Sequence, residues 1–102
     1  MRIKTHPGEI LLEEFLKPHN MMAHTLSMAI HVPSSRIGDI VNGKRCVSAD
    51  TAIRLARFFG TTAQFWLNLQ TNYDLSVIEA RNNASIASIV PLSAQGTQTS
   101  GG

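Results

Sequence analysis

The stretch that decides the fold of this chain is residues 32–45, which read VPSSRIGDIVNGKR. Ile37, Ile40 and Val41 form an apolar seam at helical spacing, so the stretch predicts a short helix over residues 34–41. An Asn-Gly pair ends the helix, as such residues commonly do, and two basic residues follow. The exposed face carries small and polar side chains, which favours a helix that reads base edges in the DNA major groove. An ordinary short helix followed by a solvated turn fits these residues equally well, so the flanking sequence has to decide.

Composition is typical of one small domain with a local positive field. The chain has 102 residues, of which 43% are hydrophobic and 16% are charged, and its formal net charge is only +2. Residues 34–60 nevertheless carry five basic residues against two acidic ones, whereas the first 20 residues carry three of each. Because the excess is confined to the middle of the chain, that region is where an anionic partner is expected to bind.

Several classes of function are disfavoured. The single cysteine, Cys46, has no intramolecular disulfide partner, which suits a reducing cytoplasm, and we expect a half-buried turn residue there. No apolar run approaches 18 residues and no secretory signal is recognisable, so we expect neither a membrane span nor export. The four histidines lack metal-ligand spacing, and there is no nucleophile elbow or phosphate-binding glycine loop. We therefore expect no enzyme, no metal and no cofactor.

Residues that typically begin or end helices, together with the spacing of apolar residues, predict five helices. They begin near His6, Met22, Ser34, Ser48 and Thr62, and the last continues to about Arg81. His31 falls in the turn between the second and third helices, where a positive φ is expected. Each helix is too short to be stable alone, so their apolar faces must pack together in an all-α bundle.

The C-terminal residues differ in character from the rest. We assign residues 1–82 to the helical domain and residues 83–102 to a flexible tail, partly disordered, whose last eleven residues are almost devoid of apolar side chains. Residues 86–90 are compatible with a short helix, with a strand that pairs with a partner, or with a loosely packed extension.

The second helix, the turn and the third helix form a helix-turn-helix, and four flanking motifs narrow the comparison. They are HPGEIL at residues 6–11, NGKR at 42–45, SADTAIRLARFFG at 48–60 and FWLNLQ at 65–70. In this order they resemble the HigA (VapI-type) antitoxins of bacterial type II toxin–antitoxin modules, over roughly residues 6–75. The resemblance implies a five-helix lambda-repressor-like fold. It also implies a cytoplasmic homodimer that binds double-stranded operator DNA, represses its own operon and neutralises a HigB-like mRNA-cleaving toxin.

The resemblance assigns base contacts to the first turns of the third helix. The residues there are Ser34, Ser35, Arg36, Gly38 and Asp39. Arg36 is the best candidate for a bidentate contact to guanine, which would contribute about 1–3 kcal/mol of discrimination. The carboxylate of Asp39 either accepts from a cytosine amine or pairs with Arg36 three residues back.

Contacts to the phosphate backbone are expected on both sides of that helix. The candidates are His24, Thr25, Asn42, Lys44 and Arg45. The family usually begins the second helix with a Ser or Thr cap followed by Gln, whereas this chain has Met22 and Ala23. The missing cap costs about 1 kcal/mol, and the missing Gln predicts weaker DNA binding. Arg54 and Arg57 are expected to be solvated surface residues rather than DNA contacts.

The fifth helix is the usual dimer-forming region of this fold. We therefore assign Phe65, Trp66, Leu69 and Tyr73 to the core and, as a hypothesis, to a dimer interface. Two alternatives stay open: a stand-alone transcriptional repressor without a toxin, and a protein-interaction module that has lost DNA binding, as Met22 and Ala23 would allow.

Overall fold

The computed structural model describes residues 4–81 and 83–95, and within these residues the chain is helical and contains no strand. The five predicted helices are confirmed, and the fold is the lambda-repressor-like bundle that the resemblance implied. The helices are α1 (Pro7–Ile10, continuing as a π-helical segment over Leu11–Leu16), α2 (Ala23–Ala29), α3 (Ser34–Val41), α4 (Ala49–Phe59), α5 (Ala63–Ala80) and the short α6 (Ala84–Ala87).

Side-chain caps explain most helix starts. The Ser48 and Thr62 hydroxyls accept from the backbone N–H three residues on, at the starts of α4 and α5. Gly60 ends α4 in the left-handed conformation at φ 74°. Met22 makes no side-chain cap at the start of α2, as predicted from its apolar side chain.

The start of α1 depends on a neutral histidine. His6 Nδ1 accepts from the Gly8 N–H at 2.9 Å, and the His6 ring meets Tyr73 edge-on at a centroid separation of 4.8 Å. Burial lowers the pKa of His6, and the negative charge of Asp74 opposes part of that shift. A proton on Nδ1 would remove the acceptor, so the cap requires the uncharged ring.

Gly8 lets α1 approach the end of α3. A Cβ at this position would overlap the carbonyl oxygen of Ile40 and lie 2.6 Å from its carbonyl carbon. The glycine of the HPGE motif is therefore required by the close backbone approach, because any side chain would push α1 away from α3. This contact fixes the end of the helix that is predicted to read DNA.

The core lies where α1 to α5 converge. Its fully buried members include Leu11, Leu26, Ile37, Leu55 and Trp66. The indole Nε1 of Trp66 donates to the Thr61 hydroxyl at 2.8 Å, so its one polar atom is satisfied. Ile37 on α3 and Leu26 on α2 belong to the same cluster, which holds the helix-turn-helix on the rest of the bundle.

Gln70 ties α5 to the loop that follows α3. Its side-chain oxygen accepts from the buried Val47 N–H at 2.8 Å, and its Nε2 donates to Asp74 Oδ1 at 2.9 Å. Among the described residues no buried side-chain nitrogen or oxygen lacks a hydrogen-bond partner. This network orients the basic loop from the inside of the protein.

The C-terminal region answers some of the questions that the sequence left open. Residues 84–87 form one helical turn, and Asn83 caps it by accepting from the Ser85 and Ile86 N–H groups. Leu92–Gln95 forms a 3-10 turn where disorder was predicted, and residues 96–102 of that prediction lie outside the described residues.

Two smaller expectations concern Cys46 and the membrane. Cys46 is exposed rather than half-buried, because the adjacent Val47 takes the inward position in the loop. In the described part of the chain no helix is both long and apolar enough to span a membrane.

Candidate nucleic-acid interface

The turn between α2 and α3 is held by the Ser27 hydroxyl. It donates to the Ala23 carbonyl one turn earlier at 3.0 Å, and it also lies 3.4 Å from the Ser34 carbonyl. The Ser27 carbonyl in turn accepts from Val32 N at 3.0 Å. His31 has the predicted positive φ, 62°. The angle between α2 and α3 is thus set by hydrogen bonds as well as by packing.

Arg54 closes the other side of the same turn. Its Nη1 donates to the carbonyls of Ile30 at 2.9 Å and His31 at 3.3 Å, which satisfies acceptors at the C-terminus of α2. The prediction of a solvated side chain holds only in part for Arg54, because 39% of its side chain is exposed while its guanidinium bonds the turn and Asp50. Arg57 is exposed and forms no ion pair within the described residues, in line with a solvated side chain.

The predicted base-contacting face of α3 is partly open to solvent. Ser34 and Ser35 are exposed, and Arg36, Gly38 and Asp39 are half-buried. The inward seam of Ile37 and Ile40 is fully buried. No side chain caps α3, and Pro33 precedes it, so its first turn presents small polar groups without a bulky residue in front. This is the shape that entry into a major groove requires.

Both charged residues on that face are paired, but not with each other. Arg36 Nη1 lies 3.2 Å from Asp50 Oδ2 on α4, and Asp39 Oδ2 lies 3.7 Å from Arg45 Nη2 in the following loop. The predicted alternative of an Asp39–Arg36 pair is wrong, because Asp50 takes the guanidinium. Asp39 instead steadies the basic loop, and its carbonyl also accepts from Lys44 N at 2.8 Å.

The candidate phosphate contacts are all exposed. Asn42 ends α3, Gly43 turns the chain at φ 74°, and the side chains of Lys44 and Arg45 project into solvent. Within the described residues Lys44 has no acidic partner, so its ammonium group is free to meet a phosphate. His24 and Thr25 are exposed on α2. Contact of any of these groups with DNA stays a prediction.

The predicted dimer residues divide into core and surface. Trp66 is 0% exposed within one protomer, so it is a core residue and its place in the predicted interface does not hold. Leu69 and Tyr73 are half-buried, and Phe65 is 36% exposed. Apolar side chains that are more exposed lie further along the chain, at Leu75, Ile78, Ile86, Ile89 and Leu92.

The sequence analysis did not identify the residues of α4 and α5 whose side chains hold the helix-turn-helix and its loop in place. Asp50, Arg54 and Gln70 touch the helix-turn-helix or its loop from α4 and α5. The i, i+4 spacing of Asp50 and Arg54 was a signal for their mutual pair. Their contacts to α2 and α3 span 14 or more positions, which no local pattern reveals.

Comparisons with known proteins agree with this geometry. Residues 12–66 match the model of the helix-turn-helix family. The chain is 56% identical over 88 residues to virulence-associated protein I of Dichelobacter nodosus, which covers 86% of this chain and 81% of the relative.

Two solved structures share both the fold and much of the sequence. One is the Pseudomonas aeruginosa antitoxin HigA with the higBA promoter, at 46% identity and a TM-score of 0.82, covering 86% of this chain and 97% of that one. The other is a HigA-family addiction module antidote protein from Coxiella burnetii, at 43% identity and a TM-score of 0.82, covering 88% and 99%. This chain therefore belongs to the lambda-repressor-like helix-turn-helix family and, within it, to the HigA (VapI-type) antitoxins.

Proposed function

We propose that this protein is the antitoxin of a type II toxin–antitoxin module. As a homodimer it binds operator DNA upstream of its own genes and represses them, and it neutralises a HigB-like mRNA-cleaving toxin. The observation that supports this best is the open first turn of α3, on a fold shared with a HigA solved together with its promoter. Binding to a promoter would place the protein in the cytoplasm.

DNA binding would use two kinds of contact. Arg36, with Ser34 and Ser35 beside it, would meet base edges from the first turn of α3. Asn42, Lys44 and Arg45 would lie along the phosphate backbone at the far end of the helix and fix its register. Each phosphate neutralised should steepen the dependence of log affinity on log salt concentration by about 0.9.

A homodimer would present two copies of α3 to two half-sites of a palindrome. Support comes from the exposed apolar side chains that continue from α5 into the tail. Leu75 is 56% exposed and Ile78 is 40% exposed, and Ile86 and Ile89 follow them beyond the end of α5. An apolar series of this length is unusual on the surface of a monomer and favours burial against a second copy.

Toxin binding rests on family membership and on a second exposed apolar surface. Ile53 and Phe58 on α4 line a groove of about 430 Å³ against the end of α2, with Arg57 at its edge. Large exposed apolar groups on an otherwise packed helix favour a protein partner. The residues that line the groove come from α4, from the end of α2 and from the turn after it, and none comes from α3.

The test is co-expression of the tagged chain with its neighbouring open reading frames, followed by capture and mass determination. A stoichiometric small basic protein that cleaves mRNA when released supports the antitoxin function. The Ile53→Asp variant should capture less of it, whereas Gln64→Asp, an exposed polar position on α5, should not. A chain that is recovered alone yet binds its upstream DNA as a dimer would instead indicate a stand-alone repressor.

A further inference from the structure

One carboxylate oxygen, Asp50 Oδ2, links α3, α4 and, through Arg54, the turn between α2 and α3. Asp50 Oδ2 accepts from Arg36 Nη1 on α3 at 3.2 Å and from Arg54 Nε on α4 at 3.0 Å. Arg54 continues to the carbonyls of Ile30 and His31 in the turn. The residue predicted to contact guanine is therefore tethered, through a single acidic group, to the framework that holds α3.

Asp50 is an acidic residue close to the surface that is predicted to bind DNA. It lies in the first turn of α4, where the helix N-terminus stabilises a carboxylate, and 58% of its side chain is exposed. A negative charge beside a predicted phosphate-binding surface repels DNA of any sequence. Exposed ion pairs contribute little to folding stability, so the pairs that Asp50 forms with Arg36 and Arg54 have little effect on stability in themselves.

The geometry leaves Arg36 able to contact a base while it stays paired. A guanidinium has five N–H donors, and Asp50 engages one nitrogen, Nη1. Nη2 and Nε stay available for the O6 and N7 acceptors of guanine. A free arginine side chain carries considerable rotamer entropy, so a fixed guanidinium loses less freedom when it binds.

We propose that Asp50 is a positioning residue for base discrimination. It holds Arg36 in the orientation that reads guanine and, by its charge, lowers affinity for DNA of every sequence. It thus raises specificity at the expense of total affinity without touching the DNA itself. This inference rests on the proposed operator binding and adds to it a specificity role for a residue on α4.

The test compares affinities for the operator and for a scrambled duplex of equal length, across a salt series, by fluorescence anisotropy. The Asp50→Ala variant should bind the scrambled duplex more tightly than wild type, and its ratio of specific to non-specific affinity should fall by roughly 10-fold. Glu13→Ala is the matched control, since Glu13 is an exposed carboxylate paired with Lys17 on α1's π-helical extension. It should leave the ratio unchanged.

Base substitutions separate positioning from a merely structural role. In wild type one guanine per half-site should be strongly preferred, and Asp50→Ala and Arg36→Ala should each lose that preference. The double variant should lose no more than Arg36→Ala alone. Asp50→Glu, which keeps the carboxylate, should retain part of the preference for guanine. Melting curves at each step verify folding, and Asp50→Asn, which keeps a hydrogen-bond acceptor, serves as a milder variant.

Two results overturn the inference. If Asp50→Ala keeps the wild-type ratio, or weakens binding to every duplex by the same factor, Asp50 does not position Arg36. If wild type itself binds both duplexes equally, the proposed operator binding fails and the inference fails with it. The first pattern leaves operator binding intact, so the two failures are distinguishable.

Discussion

The segment of residues 34–45 and the C-terminal arm (residues 71–81 and 83–95) present opposite kinds of surface. Along the first, the outward side chains are polar, and the two arginines are held by carboxylates of Asp50 and Asp39. Along the arm the outward side chains include large apolar groups such as Leu75 and Ile89, the latter 69% exposed. The first surface holds its arginines in place for an anionic ligand. The second surface exposes apolar side chains that a partner with an apolar surface would bury.

This contrast is what the proposed function requires of a small chain that binds both DNA and a protein. Three elements contact the segment of residues 34–45 or the loop just after it. Gly8 on α1 lies against Ile40, Asp50 on α4 pairs with Arg36, and Gln70 on α5 accepts from Val47 N. The arm contacts the N-terminal region through the hydrogen bond from Lys4 N to the Ser76 hydroxyl and through the edge-on contact of Tyr73 with His6. Preorganisation favours specificity at the first surface, and exposed apolar area favours association at the second.

The largest expected effect removes the core that both regions share. Trp66→Ala deletes a fully buried indole and should lower the free energy of unfolding by about 3–5 kcal/mol, as measured by chemical denaturation. Phe65→Ala, at the neighbouring exposed position, is the control and should cost much less. Equal losses for the two variants would contradict the division of α5 into a core face and an outer face.

The next effect breaks the arm alone. Ile78→Asp places a charge in the proposed dimer surface and should shift the solution mass from dimer to monomer, measured by light scattering, while the melting of the protomer fold persists. Thr71→Asp, at an exposed polar position on the same helix, should leave the mass unchanged. A dimer that survives Ile78→Asp would move the interface elsewhere.

At the opposite surface, Arg36→Ala should weaken operator binding by about 1–3 kcal/mol, which is about 5- to 150-fold in affinity. The reason is the loss of a bidentate base contact, and the solution mass should stay that of the dimer. Arg57→Ala removes an exposed arginine from α4 and is the matched control. If the two variants lose the same affinity, α3 does not supply the base contact.

A smaller effect follows from the neutral His6 cap. Because burial places the folded-state pKa of His6 below its usual 6.5, the unfolded chain binds the proton first as pH falls. The contribution of neutral His6 to the free energy of unfolding is fully present above pH 6.5 and is lost as pH falls through the folded-state pKa. Loss of the cap costs about 1 kcal/mol. His6→Asn keeps a capping acceptor that does not titrate, so its unfolding free energy should lack this acid-dependent step. An unaltered step in that variant would assign it to another group.

The smallest effect distinguishes phosphate contacts from base contacts. Lys44→Ala should reduce the salt slope of binding by about 0.9 and weaken binding to operator and scrambled duplexes alike. Lys17→Ala, at a lysine already paired with Glu13, should leave the slope at its wild-type value. A change confined to the operator would mean that Lys44 reads sequence.

Local patterns in the sequence predicted the helices and the α3 surface well, and long-range contacts less well. The apolar seam of α3 and the Ser48 cap depend on neighbours within one or two turns, which periodicity and capping rules capture. The positive φ of His31 was predicted from its place in the turn between two helices and from the enrichment of histidine at such positions. The partner of Arg36 did not, because Asp50 is 14 positions away and only the packing of α4 brings it near.

In α5, too, the sequence did not predict features that depend on long-range packing. The aromatic composition of FWLNLQ indicated both a core and an interface, but the exposure of each ring depends on the rotation of α5 against α1 and α4. That rotation buries Trp66 and leaves Phe65 at the surface. A Gln within an apolar motif gave no hint that it would bond the loop at Val47.

The most direct test of the central claim, that an organised DNA-reading surface and an apolar arm act together, is native mass spectrometry of the chain with its upstream DNA. We predict two protomers on each duplex that contains the palindrome, and negligible binding to a scrambled duplex at the same salt concentration. A single protomer per duplex, or equal occupancy of both duplexes, would contradict the account.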